Sequence, residues 1–203
     1  MERSYDIPDR TVPYSIPSEA ELSYISMKTP IYMRPNRIPH AMVGEAILTD
    51  EQCDAIISVC MTEEPYEFHG CDAVTRELPM PLSDVMKPII EFAQAINHIY
   101  WKFDLDKEPG AWFQSYDVGC SYLMHMDSDI GQTRKLTAVA LLSPSTDYIG
   151  GELHICPTGS EYETYKTRGT VVIFPSWMPH LVTPVEEGLR QTLNVGFYGP
   201  PFR

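Results

Sequence analysis

RGTVVIFPSWMPHLVTPVEEGLRQTLNVGFY, Arg168 to Tyr198, decides the fold. Its β-branched and aromatic residues fall into three short runs, Thr170 to Phe174, His180 to Val185 and Gln191 to Tyr198, with a turn signal at Glu187-Gly188. Each run has the length of a strand and is too short for a stable helix. Working back toward the N-terminus, the same rhythm predicts strands at Trp112 to Tyr116, Tyr122 to His125, Leu136 to Leu142 and Glu152 to Cys156. Turns are signalled at Val118-Gly119, Tyr148-Ile149-Gly150-Gly151 and Thr158-Gly159.

Before Trp112 the period changes. Thr49 and Gln52 are spaced as a capping box, and Cys53, Ile56, Ile57, Cys60 and Met61 then recur with helical spacing. A second helix is predicted from Ser83 or Asp84 to Tyr100, with Val85, Ile89, Ala93, Ile96 and Tyr100 on one stripe and Pro88 in the first turn. Helices followed by about seven strands indicate an α+β chain whose second half is a β-sandwich or jelly roll with the helices packed outside it. Prolines at 8, 13, 17, 30, 35 and 39 oppose both helix and central strand, so residues 1–44 read as a Pro-rich N-terminal arm, either packed or disordered. Residues 45–111 then supply supporting helices and 112–203 the core, together one compact domain. No internal repeat or low-complexity tract interrupts it.

The chain has 203 residues, 43% of them hydrophobic, enough to bury one substantial core. A net charge of -13 opposes binding to phosphate backbones and anionic membranes, so neither nucleic acid nor membrane is expected as a partner. The five cysteines (53, 60, 71, 120 and 156) form no CxxC pair, and the start MERSYDIPDR lacks an apolar stretch. Buried free thiols and a cytoplasmic protein are the expectation.

The chemistry-bearing residues lie among the strands. Side chains alternate along a strand, so His125 and Asp127 face one way and Met126 the other. The tripeptide alone is weak evidence, since chance supplies a His-x-Asp in roughly one such chain in three. Its value comes from His180 and Arg190 downstream. Two imidazoles and a carboxylate on one face of an octahedral metal leave three positions for a chelating ligand and O2. The guanidinium offers two parallel N–H donors to a carboxylate, a fork that lysine lacks. Thr192 shares the face of Arg190 by period two and is either a second carboxylate donor or a packed strand residue. His154 receives no role, and His40, His69 and His98 are read as structural.

YDVGCSYLMHMDSD (Tyr116 to Asp129), RKLTAVALLS (Arg134 to Ser143), DYIGGELHI (Asp147 to Ile155), Arg168 to Arg190 and the Phe-Tyr-Gly-Pro end together resemble the prolyl 4-hydroxylase-type branch of the Fe(II)- and 2-oxoglutarate-dependent dioxygenases. The resemblance spans about Thr49 to Phe202. It implies a double-stranded β-helix, or jelly roll, with helices outside one sheet. It further implies Fe(II) held by His125, Asp127 and His180, and 2-oxoglutarate anchored by Arg190 with help from Tyr116 and Thr192. Trp177 and Tyr122 are candidate substrate-lining residues. One branch carries a tyrosine at the position aligned with Leu141, and a leucine there cannot donate a hydrogen bond, so that contact is absent or supplied from elsewhere. The acid at 127 favours hydroxylation over halogenation.

The implied reaction uses O2, with ascorbate for sustained turnover, to hydroxylate an unactivated C–H bond while 2-oxoglutarate becomes succinate. A prolyl residue in a peptide or protein is the preferred substrate, with a free amino acid or small metabolite as competitor. A non-catalytic metal-binding jelly roll is a separate possibility. Oxidative demethylation of a nucleic-acid base is disfavoured, because no arginine follows Arg190 until Arg203.

Overall fold

A computed structural model describes residues 40–68, 71–79, 84–128, 133–155 and 163–201. Most of the arm, His69, Cys156 and the Thr158-Gly159 turn lie outside these residues. The strands are β1 (Met42–Gly44), β2 (Tyr66–Phe68), β3 (Cys71–Glu77), β4 (Lys107–Tyr116), β5 (Tyr122–His125), β6 (Arg134–Leu141) and β7 (Tyr148–Gly150). They continue as β8 (Leu153–Ile155), β9 (Glu163–Tyr165), β10 (Val171–Pro175), β11 (His180–Val182), β12 (Val185–Gly188) and β13 (Arg190–Tyr198). The helices are α1 (Asp50–Cys60) and α2 (Lys87–Ile96), the latter entered by a 3-10 turn at Asp84–Met86 and left through a π turn at Asn97–Trp101.

Among the described residues, one antiparallel sheet runs β1-β10-β6-β13-β4-β3-β5-β11-β8-β9, with β2 on β3, and β12 pairs with β7 separately. The sheet separates two apolar cores. From β6, β10 and β13, the side chains of Leu136, Ala138, Ala140, Val171, Ile173, Leu193 and Val195 join the helix-side core with Ile56, Ile89 and Phe92. Val139, Leu141, Val172 and Phe174 point the other way and meet Tyr116, Leu153 and Val182 inside the curl. Strands buried on both faces read as continuous apolar runs, which is why β6 and β10 lack hydropathic alternation. On β13 the inward residues Arg190 and Thr192 are polar and yet buried.

The capping box forms as the spacing predicts. The Gln52 N–H donates to Thr49 Oγ1 at 3.2 Å, and the Thr49 N–H donates to Gln52 Oε1 at 2.9 Å. Arg168 then ties α1 to the sheet, donating from Nε to the Leu142 carbonyl at 2.7 Å and pairing with Asp50 and Asp54. Pro88 lies in the first turn of α2, and Ile89, Ala93 and Ile96 are buried as their stripe requires. Cys53, Cys60 and Cys71 are buried free thiols.

Several elements differ from expectation. Met61 follows the last turn of α1 and is exposed, because the helix ends at Cys60 and its stripe with it. The span 45–111 also carries strands β2, β3 and the start of β4. The inward residues of β3 are Cys71, Ala73 and Thr75, too small to give an apolar signal. The expected strand His180 to Val185 is split: Pro184, which has no N–H to donate, lies between β11 and β12. Tyr148 to Gly150 is a strand before it turns, with left-handed Gly150 and Gly151 leading into β8. Strand β9 had no counterpart in the sequence reading.

Candidate metal and co-substrate site

His125 ends β5 and His180 begins β11, and the two residues are directly paired across neighbouring strands. Asp127 lies just beyond β5 in a bend rather than within a strand. Its side chain nevertheless turns back: Oδ1 is 3.5 Å from His125 Nε2 and Oδ2 is 3.8 Å from His180 Nε2. One ligand atom from each of the three lies within 4.8 Å of the others. Metal bonds of about 2.1 Å at right angles place donors roughly 3 Å apart, so binding requires only a small contraction.

Both rings are set for it. His125 Nδ1 is 2.7 Å from the Leu123 carbonyl and His180 Nδ1 is 2.9 Å from the Met178 carbonyl. A carbonyl accepts only from a protonated nitrogen, which leaves each Nε2 with its lone pair toward the shared space. Burial drives the His180 pKa down to about 4, against the pull of Asp127, so the imidazole is neutral at physiological pH. Burial alone would raise Asp127. Arg134, the two histidines and Thr137 outweigh it and hold the carboxyl well below its usual range. Thr137 donates to Asp127 Oδ2 at 2.5 Å and Arg134 Nη2 is 3.4 Å from the same oxygen.

Arg190 is paired with Tyr116 across β13 and β4, its guanidinium 4.9 Å from the centre of the Tyr116 ring. It is 2% exposed, and neither Nε nor Nη1 has a hydrogen-bond partner among the described residues. No carboxylate among the described residues pairs with it. Thr192, on the same face, is also buried with an unpartnered hydroxyl. An uncompensated buried cation is strongly destabilising, so a wall bearing orphaned N–H and O–H groups fits a bound carboxylate. The donors present therefore suit both a divalent metal and an anionic co-substrate.

The Tyr116 hydroxyl donates to Gln114 Oε1 at 2.8 Å, so contact with a bound acid would require that proton to change acceptor. Burial raises the Tyr116 pKa well above its ordinary value. Tyr122 stacks on His125 with ring centroids 3.7 Å apart. Trp177 is partly exposed and packs edge-on against Phe103 at 5.4 Å. Leu141, directly paired with Thr192, adds no donor. His154 contacts Glu152 at 3.3 Å and belongs to no metal-binding cluster among the described residues.

Sequence reasoning missed Gln114, Asn194, Arg134, Thr137 and Gly151. Asn194 carried a readable signal, since Arg190, Thr192 and Asn194 alternate with Leu193 and Val195. Asn194 Nδ2 donates to Gln114 Oε1 at 2.6 Å. Gly151 has φ +58°, and a Cβ there would lie 2.7 Å from Arg190 Cδ, so the second glycine of the GGEL turn makes room for the guanidinium stem.

Residues 111–198 match the family described as the 2OG-Fe(II) oxygenase superfamily. That match runs from β4 to β13 and includes His125, Asp127, His180 and Arg190. The chain is 33% identical over 86 residues to a PKHD-type hydroxylase of Paracoccus denitrificans, covering 38% of each protein. It is 34% identical over 84 residues to one from a Shewanella species, again 38% of each. The chain thus spans well under half the length of these relatives. Its fold is similar to a Pseudomonas putida prolyl-4-hydroxylase, with TM-score 0.69 and 17% identity over 89% of this chain and 98% of the other. It is also similar to a Trichoplax adhaerens prolyl hydroxylase solved with a hypoxia inducible factor peptide fragment. There the TM-score is 0.62 with 12% identity, over 88% of this chain and 90% of the other. The expected double-stranded β-helix is the fold observed. No described helix is long and apolar enough to cross a membrane.

Proposed function

We propose that the chain is an Fe(II)- and 2-oxoglutarate-dependent dioxygenase that hydroxylates an unactivated C–H bond, with a prolyl residue in a peptide or protein as the preferred substrate. The observation that carries the reading is the buried Arg190, unpaired with any carboxylate among the described residues, on the same curled sheet as three convergent metal-type donors. His125, Asp127 and His180 would hold Fe(II), and Arg190 with Thr192 would hold the distal carboxylate of 2-oxoglutarate, with the guanidinium beside the Tyr116 ring. Bound there, iron and co-substrate would supply O2 activation coupled to conversion of 2-oxoglutarate to succinate and CO2.

The protein's part is to bind, orient and exclude water. Thr137 and Arg134 occupy Asp127 Oδ2, so Oδ1 would be the oxygen available to a metal. The carbonyls of Leu123 and Met178 keep the imidazoles turned inward. Leu123, Met124 and Met126 are exposed around His125, an apolar rim suited to a segment of a larger molecule. The prolyl preference rests on likeness to the prolyl hydroxylases named above. Free amino acids and small metabolites form the second substrate class.

The test is succinate release from 2-oxoglutarate with Fe(II), O2 and ascorbate, beside mass spectrometry of proline-containing peptides and free amino acids for the gain of one oxygen. Wild type should turn over and Asp127→Ala should not. Absence of coupled and uncoupled turnover in wild type, or full turnover in Asp127→Ala, overturns the reading.

A further inference from the structure

The turn Pro175 to Met178 bonds to two of the three metal-type ligands. It is closed by the Met178 N–H donating to the Pro175 carbonyl at 2.8 Å. The Ser176 carbonyl accepts the N–H groups of Asp127 at 2.8 Å and Ser128 at 3.1 Å, while the Ser176 hydroxyl lies 3.2 Å from Thr137 Oγ1. Two residues on, the Met178 carbonyl takes His180 Nδ1. Displacing this turn would therefore move the Asp127 bend and the His180 ring together.

The residue at the turn's tip, Trp177, packs edge-on against Phe103. Phe103 follows the π turn and packs against the helix-side core. Its backbone is clipped on both sides by one buried side chain: Asn97 Nδ2 donates to the Phe103 carbonyl at 2.9 Å, and the Phe103 N–H donates to Asn97 Oδ1 at 3.0 Å. Lys102, left-handed at φ 54°, turns the chain so that this clip closes.

We infer that Trp177 and Phe103 are a positioning pair, bracing the 175–178 turn against the helical layer so that Asp127 and His180 are held at metal-binding separation. The inference rests on the metal-site reading above and deepens it. It gives Trp177 a task distinct from lining the substrate entrance. The brace acts through backbone carbonyls, so its loss changes metal affinity before it changes the fold.

The experiment titrates metal-free protein with Co(II), followed by calorimetry and visible absorption, and records the thermal midpoint of the same samples. Trp177→Ala and Phe103→Ala should each weaken Co(II) binding about tenfold, the low end of what supporting partners of metal ligands contribute. Trp177→Phe should restore most of the affinity, and the double variant should be no weaker than either single one, since each removes the same contact. Should Trp177→Ala fail to fold, Phe103→Leu carries the same expectation. Folded single variants with wild-type Co(II) affinity, or a double variant in which the losses add, would overturn the brace and leave the metal site intact. Failure of wild type to take up Co(II) would remove the metal site and the brace with it.

Discussion

Arg190 is the residue on which burial and charge conflict most sharply. Its guanidinium lacks an anion among the described residues, so the protein alone carries a destabilising group that the proposed function requires. Arg190→Met should raise the stability of the metal-free protein by about 1–3 kcal/mol in urea titration while abolishing stabilisation by 2-oxoglutarate. Gly151→Ala should instead lower stability, because the left-handed backbone is strained and the Arg190 stem displaced, costing about 1–2 kcal/mol, and it too should weaken 2-oxoglutarate binding in calorimetry. His180 sets a pH dependence. Its folded pKa, about 4, lies below the ordinary 6.5, so between these values the unfolded chain binds the extra proton. Stability of the metal-free protein should be full above about pH 6.5 and fall as pH drops toward 4, and His180→Gln should flatten that slope. Asp127, whose pKa is lowered, adds a loss in the same direction at more acid pH.

The elements divide by how local their causes are. Helix α1 is determined by its own sequence, with Thr49 and Gln52 meeting as their spacing predicts. Thr49→Ala should cost about 1 kcal/mol in chemical denaturation with little effect on metal uptake. Strand β13 was readable for a different reason. Period two placed Arg190 and Thr192 on one face, and the pairing of Arg190 with Tyr116 carried both to the same wall. Strand β3 was not readable, because Cys71, Ala73 and Thr75 earn their burial from β4 and β5 rather than from bulk of their own. The break at Pro184 shows why the His180 run was drawn too long: hydropathy continues through a residue that cannot.

For the whole molecule, the proposed ligands His125, Asp127 and His180 were legible because strand alternation and residue chemistry suffice to nominate them. Arg134 was not. It comes from β6, lies 5.1 Å from the centre of the Trp112 ring, and stands where a Cβ on Gly196 would fall 2.7 Å from its Nε. Three separated stretches of chain must close before that position exists. The same holds for Ser176, whose carbonyl serves Asp127 only after β5 and the loop after β10 have met. Sequence named the groups to which the proposal assigns the chemistry, while the groups that aim them appeared only with tertiary closure.

The tethering of both imidazoles to main-chain oxygens has a consequence for which ion the protein carries. With the rings already oriented, uptake requires little reorganisation, and nothing in two nitrogens and one oxygen excludes neighbouring first-row ions. Competition experiments should then follow the general stability order, with Co(II), Ni(II) and Zn(II) each displacing Fe(II) at equal concentration. Iron occupancy in a cell would be decided by the relative abundance of free ions rather than by discrimination at the site.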